Sequence, residues 1–178
     1  MPRNADLRGW RSSETRSADG GVVSEQHVWV DEPVVEMSEA GARRLGSTYW
    51  HAVRRATGGV VRVGGRSAGV DLRVFGRGPA LLRFGPRELS VEPDAVSCTY
   101  PILGGVLSRV PAGTITFAQR RLDGRVLLAS IVVGFHPTLA GRPGAPAWTG
   151  ELYTRVQARI HVSVSGEYFR RLIEEARR

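Results

Sequence analysis

Residues 152–173 read LYTRVQARIHVSVSGEYFRRLI. Leu152-Tyr153, Val156-Gln157, Ile160-His161, Val164-Ser165, Tyr168-Phe169 and Leu172-Ile173 recur as pairs every fourth position. That spacing predicts one long C-terminal helix laid against an apolar surface. A strict four-residue repeat drifts from the 3.6-residue turn, and a bend at Ser165-Gly166 would absorb part of the drift. A competing pattern lies inside the same stretch. Val156, Ala158, Ile160, Val162 and Val164 alternate with polar residues, as in a strand, and Ser165 could then cap a short helix over Glu167–Arg177. The long helix accounts for the whole length and is the preferred expectation.

What precedes this segment reads mostly as strand. Val60–Val63, Val70–Phe75, Ala80–Phe84, Leu89–Val91, Val96–Ile102, Thr114–Arg121 and Val126–Phe135 are apolar or alternating runs parted by Gly, Pro and Asp turns. Asp123-Gly124 is a hairpin signal between the two longest of them. Separators this short force antiparallel neighbours, since a parallel crossover takes about a dozen residues. Ahead of the strands, Ser38 is a good N-cap, Glu39 suits the first turn, and Ala42, Leu45, Tyr49 and Val53 follow at helical spacing. A helix over 39–56 is expected, mildly interrupted by Gly46 and stopped by Gly58-Gly59. His27–Val30 and Val34–Met37 are β-type, and Pro33 between them predicts an edge strand or two short pieces. Residues 1–24, polar and rich in Arg and Ser, are expected to be a disordered tail, leaving 25–178 as a single domain.

The bulk numbers restrict the chemistry. The 178 residues suit one soluble domain, with 42% hydrophobic and 24% charged residues. No apolar run is long enough to span a bilayer and the N-terminus has no signal-like core, so a cytoplasmic location is the expectation. All 25 basic residues are arginine, which excludes a Schiff-base lysine. The single cysteine, Cys98, sits in a period-two pattern and reads as a buried, inert thiol. The net charge is +8, unevenly spread. Residues 25–39 hold five acids and no arginine, whereas residues 43–87 hold ten arginines and one aspartate. Arg62, Arg73 and Arg83 alternate with apolar neighbours and fit a solvated strand face. A basic face could also meet nucleic acid or anionic lipid, but no interleaved aromatic–basic stacking platform supports the nucleic-acid reading.

Motifs with chemistry are few. Gly65-Arg66-Ser67-Ala68-Gly69 matches G-x-S-x-G, but a strand follows it where a nucleophile elbow needs a helix, so it reads as a turn. The histidines His27, His51, His136 and His161 show no metal-ligand spacing, and neither a metal nor a cofactor is implied. Glu88 and Glu92 share a strand face and are expected to meet solvent. On a helix, Tyr153, Gln157 and His161 would form a polar-tipped stripe one turn apart.

The order of elements resembles the helix-grip fold of START-like (SRPBCC) proteins, the superfamily of polyketide cyclases, lipid-transfer proteins and pathogenesis-related-10 proteins. The likeness covers residues about 27–177. The blocks SCTYPILGGVLSRVPAGTITFAQ and ELYTRVQARIHVSVSGEYFRRL are also similar to a group of actinobacterial proteins. The resemblance implies an α+β fold in which a curved antiparallel sheet of six to eight strands grips a long C-terminal helix. It further implies a cavity between the two for an apolar or amphipathic, lipid- or polyketide-like small molecule. Candidate ligand-binding residues are then Tyr100, Phe117 and Phe135 from strands, with Tyr153, Gln157 and His161 from the helix; residues 136–147 would form a rim. No catalytic set carries over. The alternatives are a cyclase- or dehydratase-like enzyme moving a proton through His161, and a basic protein contacting nucleic acid through residues 43–87. Two departures stand out: one longer helix replaces the usual two short ones, and up to seven strands follow it.

Overall fold

The computed structural model describes residues 9–66, 69–108, 110–138 and 163–178. Nine strands form one open, curved antiparallel sheet: β1 (Arg11–Arg16), β2 (Val22–Val30), β3 (Val61–Arg66), β4 (Gly69–Val74), β5 (Leu82–Phe84), β6 (Glu88–Glu92), β7 (Ala95–Gly104), β8 (Thr114–Leu122) and β9 (Arg125–Phe135). Their spatial order is β1-β2-β9-β8-β7-β5-β4-β3, and β6 pairs with the first half of β7 where β5 pairs with its end. Helix α1 (Glu39–Ala56) lies between β2 and β3 in the chain and packs chiefly on β7. A second helix, α2, runs through residues 163–176. The α+β class, the antiparallel sheet and the two helices are those the sequence predicts.

Helix α1 forms where its signals stand. Ser38 is extended and its hydroxyl accepts from the Gly41 amide at 3.2 Å. Glu39 occupies the first turn and Arg54 and Arg55 the last, each opposing the helix dipole. The Thr57 hydroxyl donates to the Val53 carbonyl at 2.8 Å and closes the end. Gly46 does not interrupt the helix; it lets α1 approach β7, because a Cβ there would lie 2.8 Å from both Cys98 Sγ and Tyr100 Oη.

The sheet bends where the pairing slips. Register shifts fall between Val22 and Ser24 against β9, and between Arg83 and Phe84 against β7. Pro101, which has no N–H, sits in β7 between the stretches paired with β6 and with β5. Gly85 donates to its carbonyl at 2.9 Å. At the β8–β9 turn, Asp123 and Gly124 both take positive φ, 50° and 76°, the mirror-image turn that Asp-Gly favours.

Three expectations are corrected. Residues 11–24 are not a disordered tail: β1 and the start of β2 occupy them, joined by a turn in which Ser17 N–H bonds Gly21 O at 2.9 Å. β1 thereby forms one edge of the sheet, beside β2. β2 is not an edge; it lies between β1 and β9. Val34–Met37 is not a strand, because a side chain takes over the role of a partner strand. Gln119 Oε1 accepts from the Val34 and Val35 amides at 2.7 and 3.0 Å, and Gln119 Nε2 donates to the Val35 carbonyl at 2.7 Å.

Of the two readings of the C-terminal stretch, the helical one holds for residues 163 and 164. Residues 152–162 lie outside the described residues.

Candidate functional site

The inner face of the sheet, α1 and α2 share one apolar core. At its centre the rings meet edge to face or tilted. Tyr49 and Trp50 of α1 lie 4.2 and 6.2 Å from Phe117 of β8, and Trp50 lies 5.1 Å from Tyr100 of β7. Tyr168 of α2 stands 5.5 Å from Phe117 and 5.6 Å from Tyr49. Phe169 turns toward Trp10, ahead of β1, at 5.5 Å. Among the expected strand residues, Tyr100, Phe117 and Phe135 are all buried in this core. Phe117 touches both helices, whereas the ring of Tyr100 packs on α1. Tyr153, Gln157 and His161 lie outside the described residues.

Beside the rings lies a group of buried polar side chains. On β2, Ser24 and Gln26 occupy inward positions that alternate with exposed or half-buried residues. Gln26 Nε2 donates to Ser24 Oγ at 2.8 Å, and Ser165 of α2 donates to Gln26 Oε1 at 3.3 Å. Ser130 of β9 is in register with Gln26 on one side and Phe117 on the other. Ser130 Oγ and Tyr168 Oη are both buried and have no hydrogen-bond partner among the described residues. An unpaired buried hydroxyl costs about 1–3 kcal/mol, so each of the two calls for an explanation.

Burial sets the electrostatics here. It raises the Tyr168 phenol well above its ordinary value, with the Cys98 and Tyr49 groups adding to the effect. It raises Tyr49 in the same way, and it lifts the Cys98 thiol, with the Tyr100 hydroxyl opposing the rise. All three stay neutral near pH 7, and Cys98 is buried as expected.

Elsewhere, G-x-S-x-G stands between β3 and β4, with Arg66 paired to Gly69, so strands flank it on both sides. Glu88 and Glu92 are exposed on β6. Among the described residues no three His, Cys, Asp or Glu side chains gather as a metal site would need, and no helix is long and apolar enough to cross a membrane.

Sequence reasoning missed Ser24, Gln26, Ser130, Ser165 and Tyr168 as a set. The signal was present in Val22, Ser24, Gln26 and Val28, which share one face of an alternating run, but the tail expectation removed its first half.

No protein-family model and no curated protein matches the chain. Among solved structures it is similar to the crystal structure of Ara h 8.0201, at 11% identity and a TM-score of 0.39, over 83% of this chain and 97% of that one. It is also similar to CalU16 from Micromonospora echinospora. The crystal structure matches at 11% identity and a TM-score of 0.33, over 94% of this chain and 92% of that one. The solution structure of CalU16 matches at 11% identity and a TM-score of 0.36, over 92% and 76% respectively.

Proposed function

We propose that this protein binds an amphipathic small molecule between its sheet and its C-terminal helix, without covalent chemistry. The carrying observation is two buried hydroxyls, Ser130 Oγ and Tyr168 Oη, without hydrogen-bond partners among the described residues, on residues that both neighbour Phe117. A guest with a polar head would bond both, and Gln26 and Ser165 would orient it. Its apolar body would lie along Phe117 and Phe135, with Tyr100 behind them. Tyr153, Gln157 and His161 remain proposed contacts from the helix side. A mostly apolar wall with a few fixed polar groups is the usual make-up of a small-molecule site.

The test begins with native mass spectrometry of protein purified from cells, where a bound lipid-like mass is expected, and with binding of the dye ANS. Ser130→Ala and Tyr168→Phe each remove a hydroxyl that bonds nothing in the described structure. Folding stability should hold or rise, while affinity for the captured molecule should fall about tenfold per hydroxyl. Unchanged affinity in the double variant would refute anchoring at these groups. Absence of both a bound mass and dye binding would refute the reading as a whole.

A further inference from the structure

The open end of the β3–β4 pair, opposite the turn that joins Arg66 to Gly69, carries an unusual combination. Phe75, which follows β4, is 64% exposed, and it takes a positive φ of 48°. A bulky side chain in the left-handed region is strained, and such outliers concentrate where something functional holds them. The Phe75 amide bonds the Val60 carbonyl at 2.8 Å, so the two lie together. Val60 is 43% and Val74 41% exposed. Val60 and Phe75 thus stand exposed opposite one another at this end, with Val74 exposed at the alternate strand position.

Arginines surround that tip. Arg62 and Arg73 are direct cross-strand partners on β3 and β4. The aliphatic stem of Arg62 lies against Gly76, Arg73 Nη1 donates to the Gly78 carbonyl, and Arg77 is exposed in the same turn. Like charges directly opposite on a sheet repel. The single acid among residues 57–87 is Asp71, which is buried and paired with Arg73 at 2.8 Å. The tip is therefore apolar at its point and cationic around it.

We infer that the Phe75 turn docks the protein on the surface of an anionic phospholipid bilayer. Phe75 and Val60 enter the boundary between headgroups and chains, and Arg62 and Arg77 meet lipid phosphates, while Arg73 is held by Asp71 and Gly78. An aromatic point within a cationic ring is the arrangement such an interface rewards. A nucleic-acid duplex would use the arginines alone, and a single strand stacks its bases on a series of aromatics where this turn carries one. This docking is independent of whether a guest binds at Ser130 and Tyr168.

The test is co-sedimentation of the full chain with phosphatidylcholine vesicles, with and without phosphatidylserine. Binding is expected only to the anionic vesicles, weakening as salt rises. Phe75→Gly removes the ring and relieves the strained backbone together, so its thermal midpoint should hold or rise while vesicle affinity falls roughly tenfold. Arg62→Gln and Arg77→Gln should each lower affinity about fivefold. Full-strength binding by Phe75→Gly, equal binding to neutral vesicles, or tighter binding to duplex DNA than to anionic vesicles would each overturn the inference.

Discussion

At the residue scale, the contact between α1 and the sheet turns on one missing methyl. Alanine at position 46 would gain about 1 kcal/mol in helix propensity over glycine. The added Cβ, however, would lie 2.8 Å from Cys98 Sγ and from Tyr100 Oη, both in side chains buried against the helix. Overpacking of this kind costs about 1–3 kcal/mol and outweighs the propensity gain. Gly46→Ala is thus expected to lower stability by about 1 kcal/mol or more, measured by denaturant unfolding. Adding Cys98→Ala should recover part of the loss by removing one of the two atoms in the way. A stabilised Gly46→Ala variant would mean that α1 can shift outward freely. From sequence, the glycine reads as a weakness in a helix, because propensity is a local property and the crowding comes from residues fifty positions away.

At the element scale, the segment between β2 and α1 shows how a side chain can settle what a strand pattern leaves open. Val34 and Val35 are β-type residues, yet they bond to Gln119 and not to a neighbouring strand. Gln119 is fully buried and satisfies two donors and one acceptor of that segment. Gln119→Leu keeps the shape but leaves those backbone groups unpaired, and should cost about 3 kcal/mol. Amide exchange at Val34 and Val35 should quicken ahead of exchange in β8 and β9. Protection that persists at both amides would show that another group holds the segment. The regular elements were legible because their causes are local: Ser38 and Gly58-Gly59 bound α1, and Asp123-Gly124 turns β8 into β9. β1 was not legible. All six of its residues are exposed, so it has no buried face and no period to detect. The candidate site shared that fate in part. Phe117 and Tyr100 announced themselves as large inward residues, whereas Ser130 and Tyr168 matter for what their hydroxyls fail to bond, which only the folded arrangement of β9 against α2 reveals.

At the scale of the whole molecule, the sheet and both helices close over Tyr49 and Tyr168, so the protonation of these phenols is tied to folding. Burial raises both above their ordinary value of 10.0. In the unfolded chain they regain that ordinary value and lose their protons first as pH climbs. Stability is therefore fully present below about pH 10 and is lost above it, by about 1.4 kcal/mol for each unit of upward shift. Cys98, also raised by burial, begins the same loss slightly earlier, from its ordinary value of 9.0. The absence of lysine leaves this alkaline window clear, since arginine keeps its charge throughout it. Thermal midpoints measured along an alkaline series should fall steeply past pH 10, about that ordinary phenol value. Phenolate absorbance from the buried tyrosines should appear together with the loss of helical circular dichroism. Tyr168→Phe should flatten the fall, because it removes one of the linked protons without leaving a polar group unpaired. Phenolate absorbance from Tyr49 and Tyr168 in a chain that keeps its helical signal would mean that water reaches both rings in the folded state. The two helices would then not seal the aromatic centre of the sheet.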